Sequence, residues 1–144
     1  MCIMEKSDIV YVAMAADLIH QGHVNIIKLA ADLGPVVIGL LTDEAICSYK
    51  RRPIVKWEHR KEVISSIKGV SIVIPQITHD YVANLKILRS AYVVHGSDWK
   101  QGVQSEIRQR VLDTLEIWGG ILVEPEYTTG ISTTQIIQQC KQLN

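Results

Sequence analysis

Two histidines, His20 and His23, stand three positions apart around Gly22, directly after an apolar run, Ile9 to Met14, that reads as a β-strand. At that spacing both imidazoles belong to the first turn of a following helix, where each can donate a hydrogen bond to an anion lying over the helix N-terminus. Gly22 lets the backbone approach closely. No GxGxxG turn accompanies them, so a bound phosphate must be met by side chains as well as by the helix end. By itself a histidine at a helix start is more often a cap or a surface residue. A zinc site would need three or four ligands, and no partner cluster is evident in the sequence.

At the other end of the chain, Ile131-Ser132-Thr133-Thr134 opens the last helical pattern. Hydroxyls and free N–H groups at a helix start form a phosphate cradle, although Ser132 or Thr133 could equally be a plain N-cap. Lys50-Arg51-Arg52-Pro53 is a basic segment that either clamps phosphates or is a solvated charge run. Val94-His95-Gly96-Ser97-Asp98-Trp99 follows a further apolar run. Gly96 would allow close approach to a ligand there, with Asp98 and Trp99 in reach of a base, ribose or metal; a polar turn with a packed tryptophan is the alternative.

The elements that must position these residues alternate strictly. Ile9 to Met14, Val36 to Leu41, Ser71 to Pro75, Tyr92 to His95 and Ile121 to Glu124 read as buried strands. His23 to Leu33, Lys56 to Lys68, Tyr81 to Leu88, Val103 to Trp118 and Thr133 to Leu143 read as helices, with Gly34, Gly69 and Gly119 where helices stop. The pattern predicts an α/β doubly wound, parallel five-stranded sheet in a single domain spanning 1–144. In such sheets ligands bind outside the carboxyl ends of the strands, where the strand order reverses.

Bulk properties set the outer limits. The chain's 144 residues are enough to bury about two thirds of the unfolded surface. Lysine plus arginine balances aspartate plus glutamate at 15 each, so no overall field draws nucleic acid or an anionic membrane. Cys2, Cys47 and Cys140 are odd in number and unpaired in spacing, which suits a reducing compartment. No run approaches the roughly 18 apolar residues of a membrane span. A soluble, cytoplasmic protein is expected.

Taken together, the His20-x-Gly22-His23 pair, Trp57-Glu58-His59-Arg60, Gly96-x-Asp98-Trp99 and Gly130-Ile131-Ser132-Thr133-Thr134 resemble the signatures of cytidylyltransferases of the HxGH nucleotidyltransferase superfamily, in the family's order. The resemblance covers essentially the whole chain and implies a Rossmann-like fold that transfers CMP from CTP. It assigns His20, His23, Lys50 and Arg52 to catalysis. Nucleotide contacts fall to Ala15, Ala16, Asp17 and Gly22 in the first loop, to Gly96, Asp98 and Trp99, and to Ile131 through Thr134. Mg²⁺ organised by Asp17 and a homodimeric assembly are further implications.

Departures bear on the acceptor. Where glycerol-3-phosphate enzymes have Gly-Thr-Phe-Asp, this chain has Met14-Ala15-Ala16-Asp17, and where they carry an arginine before the last signature it has Tyr127. The wording Ala16-Asp17-Leu18-Ile19-His20, Tyr49-Lys50-Arg51 and Asp98-Trp99-Lys100 is more similar to cytidylyltransferases associated with phosphoenolpyruvate mutase. That branch activates 2-aminoethylphosphonate or 2-hydroxyethylphosphonate, and Arg51, Lys68, Arg108 and Tyr127 are the candidates for the phosphonate end. Glycerol 3-phosphate or phosphocholine as acceptor, an adenylyltransferase of the same superfamily, and a silent nucleotide-binding domain of a larger enzyme stay open.

Overall fold

Val10-Tyr11-Val12-Ala13-Met14 is apolar throughout and forms β1 (Val10–Met14), flanked on both sides by other strands and buried on both faces. The computed structural model describes residues 5–143, so Cys2 lies outside the described residues. After β1 come α1 (Gln21–Leu33), β2 (Val36–Leu41), the short α2 (Asp43–Cys47), α3 (Trp57–Ser65), β3 (Val70–Gln76), α4 (Val82–Leu88) and β4 (Tyr92–Val94). Two 3-10 turns, Ser97–Lys100 and Gly102–Gln104, lead into α5 (Ser105–Glu116), followed by β5 (Ile121–Val123) and α6 (Thr133–Lys141).

The five strands form one parallel sheet in the order β3-β2-β1-β4-β5, the architecture expected from the alternating pattern. The order reverses between β1 and β4, and their carboxyl ends open the crevice that such a reversal leaves. Alternate residues of a strand face opposite sides, and the core divides accordingly. Tyr11 and Ala13 pack with Leu85 of α4 and Val111 and Leu115 of α5. Val10 and Val12 pack on the other face with Ile27 and Ala30 of α1 and Ile64 of α3.

Differences from the expected bounds are local. Helix α1 begins at Gln21 because His20 is its cap rather than a helical residue. The segment after β4, expected to enter a helix at Val103, first makes the two tight turns. Among the described residues no helix is long and apolar enough to cross a membrane.

Candidate functional site

A cleft of about 550 Å³ opens at the carboxyl ends of β1, β2 and β4, lined by the β1–α1 loop, Lys50 and Arg51, by His95, Gly96 and Asp98, and by Ile131 through Thr134. Ala15, Ala16 and Asp17 of the β1–α1 loop line it. Ala16 and Leu18 adopt left-handed φ angles of 54° and 67°, a conformation that costs a side-chain-bearing residue roughly 1–3 kcal/mol. Strain of this kind persists only where surrounding contacts over-determine it.

The two signature histidines cap α1 reciprocally. The Gly22 amide donates to His20 Nδ1 at 3.0 Å, and the His20 amide donates to His23 Nδ1 at 3.2 Å, an imidazole version of the capping box. With both Nδ1 atoms accepting, each neutral ring must carry its proton on Nε2. Gly22 is required for this arrangement: a Cβ there would stand 2.8 Å from Cε1 of His20. Burial lowers the pKa of both rings; for His23, where His20 and Lys50 add to the effect, it falls to about 4. Near neutral pH the pair is two uncharged N–H donors.

Asp17 is 5% exposed, and both its carboxylate oxygens accept hydrogen bonds. It accepts from the Ile54 amide at 2.9 Å, the Val55 amide at 3.0 Å and the Arg51 guanidinium at 2.8 Å. Burial opposes its charge, but those three donors outweigh it and hold the carboxyl below its ordinary value. Its carbonyl oxygen accepts from the Thr133 hydroxyl at 2.9 Å. Asp17 therefore fastens the basic loop and the start of α6 to the first loop. The resemblance places a magnesium ion beside it; Oδ2 accepts two of the three bonds and Oδ1 one, which leaves Oδ1 the oxygen with acceptor capacity for a cation. Among the described residues no three His, Cys, Asp or Glu side chains converge as a metal-ligand set.

Arg60, 1% exposed, is the second fastening. It donates to the carbonyls of Val55, Ala15 and Leu41 and to the Asp43 carboxylate. The arginine of the Glu58-His59-Arg60 segment thus shapes the cleft's backbone from beneath rather than meeting a ligand.

Several expected positions belong elsewhere. Trp99 is core, 1% exposed, stacked on His95 and donating from Nε1 to Glu124. Arg108 holds Glu124 through Nε and Nη2, with two bonds of 2.8 and 2.9 Å, a bidentate pair outside the lining of the cleft. Lys68 precedes β3, at the amino ends of the strands and so on the side opposite the cleft. Arg52 faces a separate shallow hollow beside Asp43 and Glu44. Ala15, Ala16, Gly22, Gly96, Asp98 and Tyr127 do line the cleft, together with Ile131, Ser132, Thr133 and Thr134.

Several lining residues had been given no role, among them Tyr49, His79 and His95. Tyr49 and His79 stack face to face at 4.0 Å between centroids and 6° between planes. His79 follows β3, and reading every loop at a strand's carboxyl end would have found it.

The chain is an α/β protein with an open parallel sheet, whose switch-point crevice gathers two helix N-termini, two neutral imidazoles and a basic loop, the kinds of group that attract an anion. A family model described as cytidylyltransferase-like matches residues 15–139, and the chain belongs to that family. It is 32% identical to the ethanolamine-phosphate cytidylyltransferase of Mus musculus over 84% of this chain and 30% of that protein. It is 31% identical to the glycerol-3-phosphate cytidylyltransferase of Bacillus spizizenii over 83% of this chain and 87% of that one. The chain spans about a third or less of several curated relatives it matches. A lipopolysaccharide core biosynthesis protein from Thermoplasma volcanium has the same fold, with a TM-score of 0.69 at 21% identity over 83% of this chain and 98% of that one.

Proposed function

We propose that the chain transfers CMP from CTP to a small phosphonate or phosphate acceptor, 2-aminoethylphosphonate or 2-hydroxyethylphosphonate in first place, with release of pyrophosphate. The observation that carries this reading is the pair of Nε2–H donors held at the start of α1, opposite Lys50 and the hydroxyls of α6, in one cleft. An acceptor oxyanion forms a bond to the α-phosphorus of CTP as the bond from that phosphorus to the bridging oxygen breaks. No proton has to be removed, so the protein's task is positioning and charge stabilisation.

His20 and His23 meet the oxygens of the α-phosphate as charge builds on them, without the cost of a buried imidazolium. Lys50 faces the leaving phosphates, and Ser132 to Thr134 cradle the triphosphate. Arg51, already paired with Asp17, keeps the basic loop against the cleft. Magnesium would enter with CTP, held mainly by the phosphates. A homodimer remains part of the proposal.

Pyrophosphate release tests the reading, with magnesium and each nucleoside triphosphate against the two phosphonates, glycerol 3-phosphate and phosphocholine. Turnover is expected with CTP and acceptor together and with neither alone. His20→Ala and His23→Ala should each lower kcat about 10²–10³-fold in protein that still melts cooperatively. Release without acceptor would indicate a hydrolase, and rates like the parent's in either variant would remove the histidines from the chemistry.

A further inference from the structure

Four histidines line the cleft, His20, His23, His79 and His95, and His95 is held the opposite way from the pair at the start of α1. His20 and His23 accept at Nδ1 and present Nε2–H donors. His95 Nδ1 lies 2.7 Å from the carbonyl oxygen of Gly96. A carbonyl can only accept, so the proton of the neutral ring sits on Nδ1 and Nε2 carries a lone pair. The ring is clamped flat against Trp99, 3.8 Å between centroids and 10° between planes, with Tyr81 beside it. Burial outweighs the Gly96 carbonyl, Asp98 and Glu124 and keeps the ring uncharged. His95 is 17% exposed, and among the described residues no protein donor reaches its Nε2.

The charges follow the same division. The α1 and α6 ends of the cleft carry N–H donors, hydroxyls and Lys50. At the β4 end stands Asp98, 54% exposed, with Oδ1 3.9 Å from His95 Nδ1, whereas the cleft's other carboxylate, Asp17, is already paired with Arg51 and two backbone amides. A molecule that is anionic at one end and a cationic hydrogen-bond donor at the other matches both halves.

We propose that His95 is a specificity residue: its Nε2 accepts a hydrogen bond from a primary ammonium group on the acceptor, with the Asp98 carboxylate supplying the opposite charge. This rests on the CMP-transfer reading and narrows its acceptor to an aminoalkyl phosphonate or phosphate. A hydroxyl in that place could donate to Nε2 but would draw nothing from the charge of Asp98. Sites built to hydrogen-bond a polar group reject an analogue that cannot complete the set far better than apolar pockets reject size changes.

The test is steady-state kinetics with CTP and two acceptor pairs, 2-aminoethylphosphonate against 2-hydroxyethylphosphonate and phosphoethanolamine against glycerol 3-phosphate. The unaltered protein should prefer the amine in each pair. His95→Phe keeps a ring on Trp99 but has no lone pair; it should raise KM for the amine about tenfold or more and KM for the hydroxyl partner clearly less, while KM for CTP stays within about twofold. His95→Gln, with a carbonyl near the position of Nε2, should recover part of that loss. Equal use of both members of each pair by the unaltered protein overturns the proposal. So does a rise in KM for CTP, or a loss of CTP-over-UTP preference, since His95 would then read the base. An equal rise for both acceptors makes the ring mere packing. No turnover with any acceptor rejects the CMP-transfer reading itself and this inference with it.

Discussion

Helices α1 and α6 bring their N-termini to the same cleft, and the body of the protein holds them very differently. Ile27 and Ala30 of α1 are fully buried against the sheet. No residue of α6 is buried. Its start is tied to the first loop by the Thr133 hydroxyl, and the Asn25 amide of α1 reaches Thr128 in the segment just before it. That segment turns at Gly130, with a left-handed φ of 85° and no atom near a would-be Cβ. The imidazole end is therefore set by core packing, while the hydroxyl end depends on a few polar contacts. A site that must fix a transition state and still release pyrophosphate gains from that asymmetry, since rigidity is wanted at the reacting phosphorus and adjustability at the leaving group.

The strongest test of the rigid side is Arg60, which joins the first loop, the end of β2, α2 and the basic loop. Arg60→Met fills similar volume but leaves the Asp43 carboxylate without its partner and three carbonyls without their donor. Asp43 is 33% exposed and regains water, but each buried carbonyl left without its donor costs about 1–3 kcal/mol, and urea unfolding should show a loss of about 3 kcal/mol or more. A loss below about 1 kcal/mol would mean that the cleft's backbone is held by packing alone, and the contrast with α6 would need another basis.

A slightly smaller effect belongs to His23. Its pKa in the folded protein is about 4, against an ordinary 6.5, so the unfolded chain binds a proton first. The stabilisation is fully present above pH 6.5 and is lost as pH falls towards 4. The shift corresponds to roughly 3 kcal/mol, to which His20 adds in the same direction. His23→Asn removes the ring, and its stability between pH 7 and 4.5 should fall less than the parent's by about that amount. Parallel curves would show that the ring is solvated and that α1 presents a looser site than its packing implies.

Much of this contrast was legible in the sequence because its determinants are local. β1 and β2 read as unbroken apolar runs, since central strands of a parallel sheet are buried on both faces. The His20–His23 pair and the Ser132–Thr134 row each sit within one turn of one helix, so spacing alone brings their side chains together. What stayed hidden depends on partners far along the chain. The amides that occupy Asp17 come from Ile54 and Val55, and a backbone amide leaves no mark in residue types. Arg108 reads as a free cation until Glu124 is placed beside it, and Trp99 as a rim residue until β4 and α5 close around it. Tyr49 and His79 meet from two separate loops.

The smallest effect separates the two helices most cleanly. Thr133→Val preserves shape and deletes the hydroxyl that donates to the Asp17 carbonyl, a bond of about 1 kcal/mol. Because α6 buries no residue, this loss should appear as local opening rather than as global destabilisation. Hydrogen exchange of the α6 amides is expected to quicken about fivefold, with α1 amides unchanged and KM for CTP raised a few-fold. Equal quickening in both helices would show that α6 opens only with the whole fold. The hydroxyl end would then be as fixed as the imidazole end, and adjustability for pyrophosphate release would have to reside in the basic loop from Lys50 to Val55.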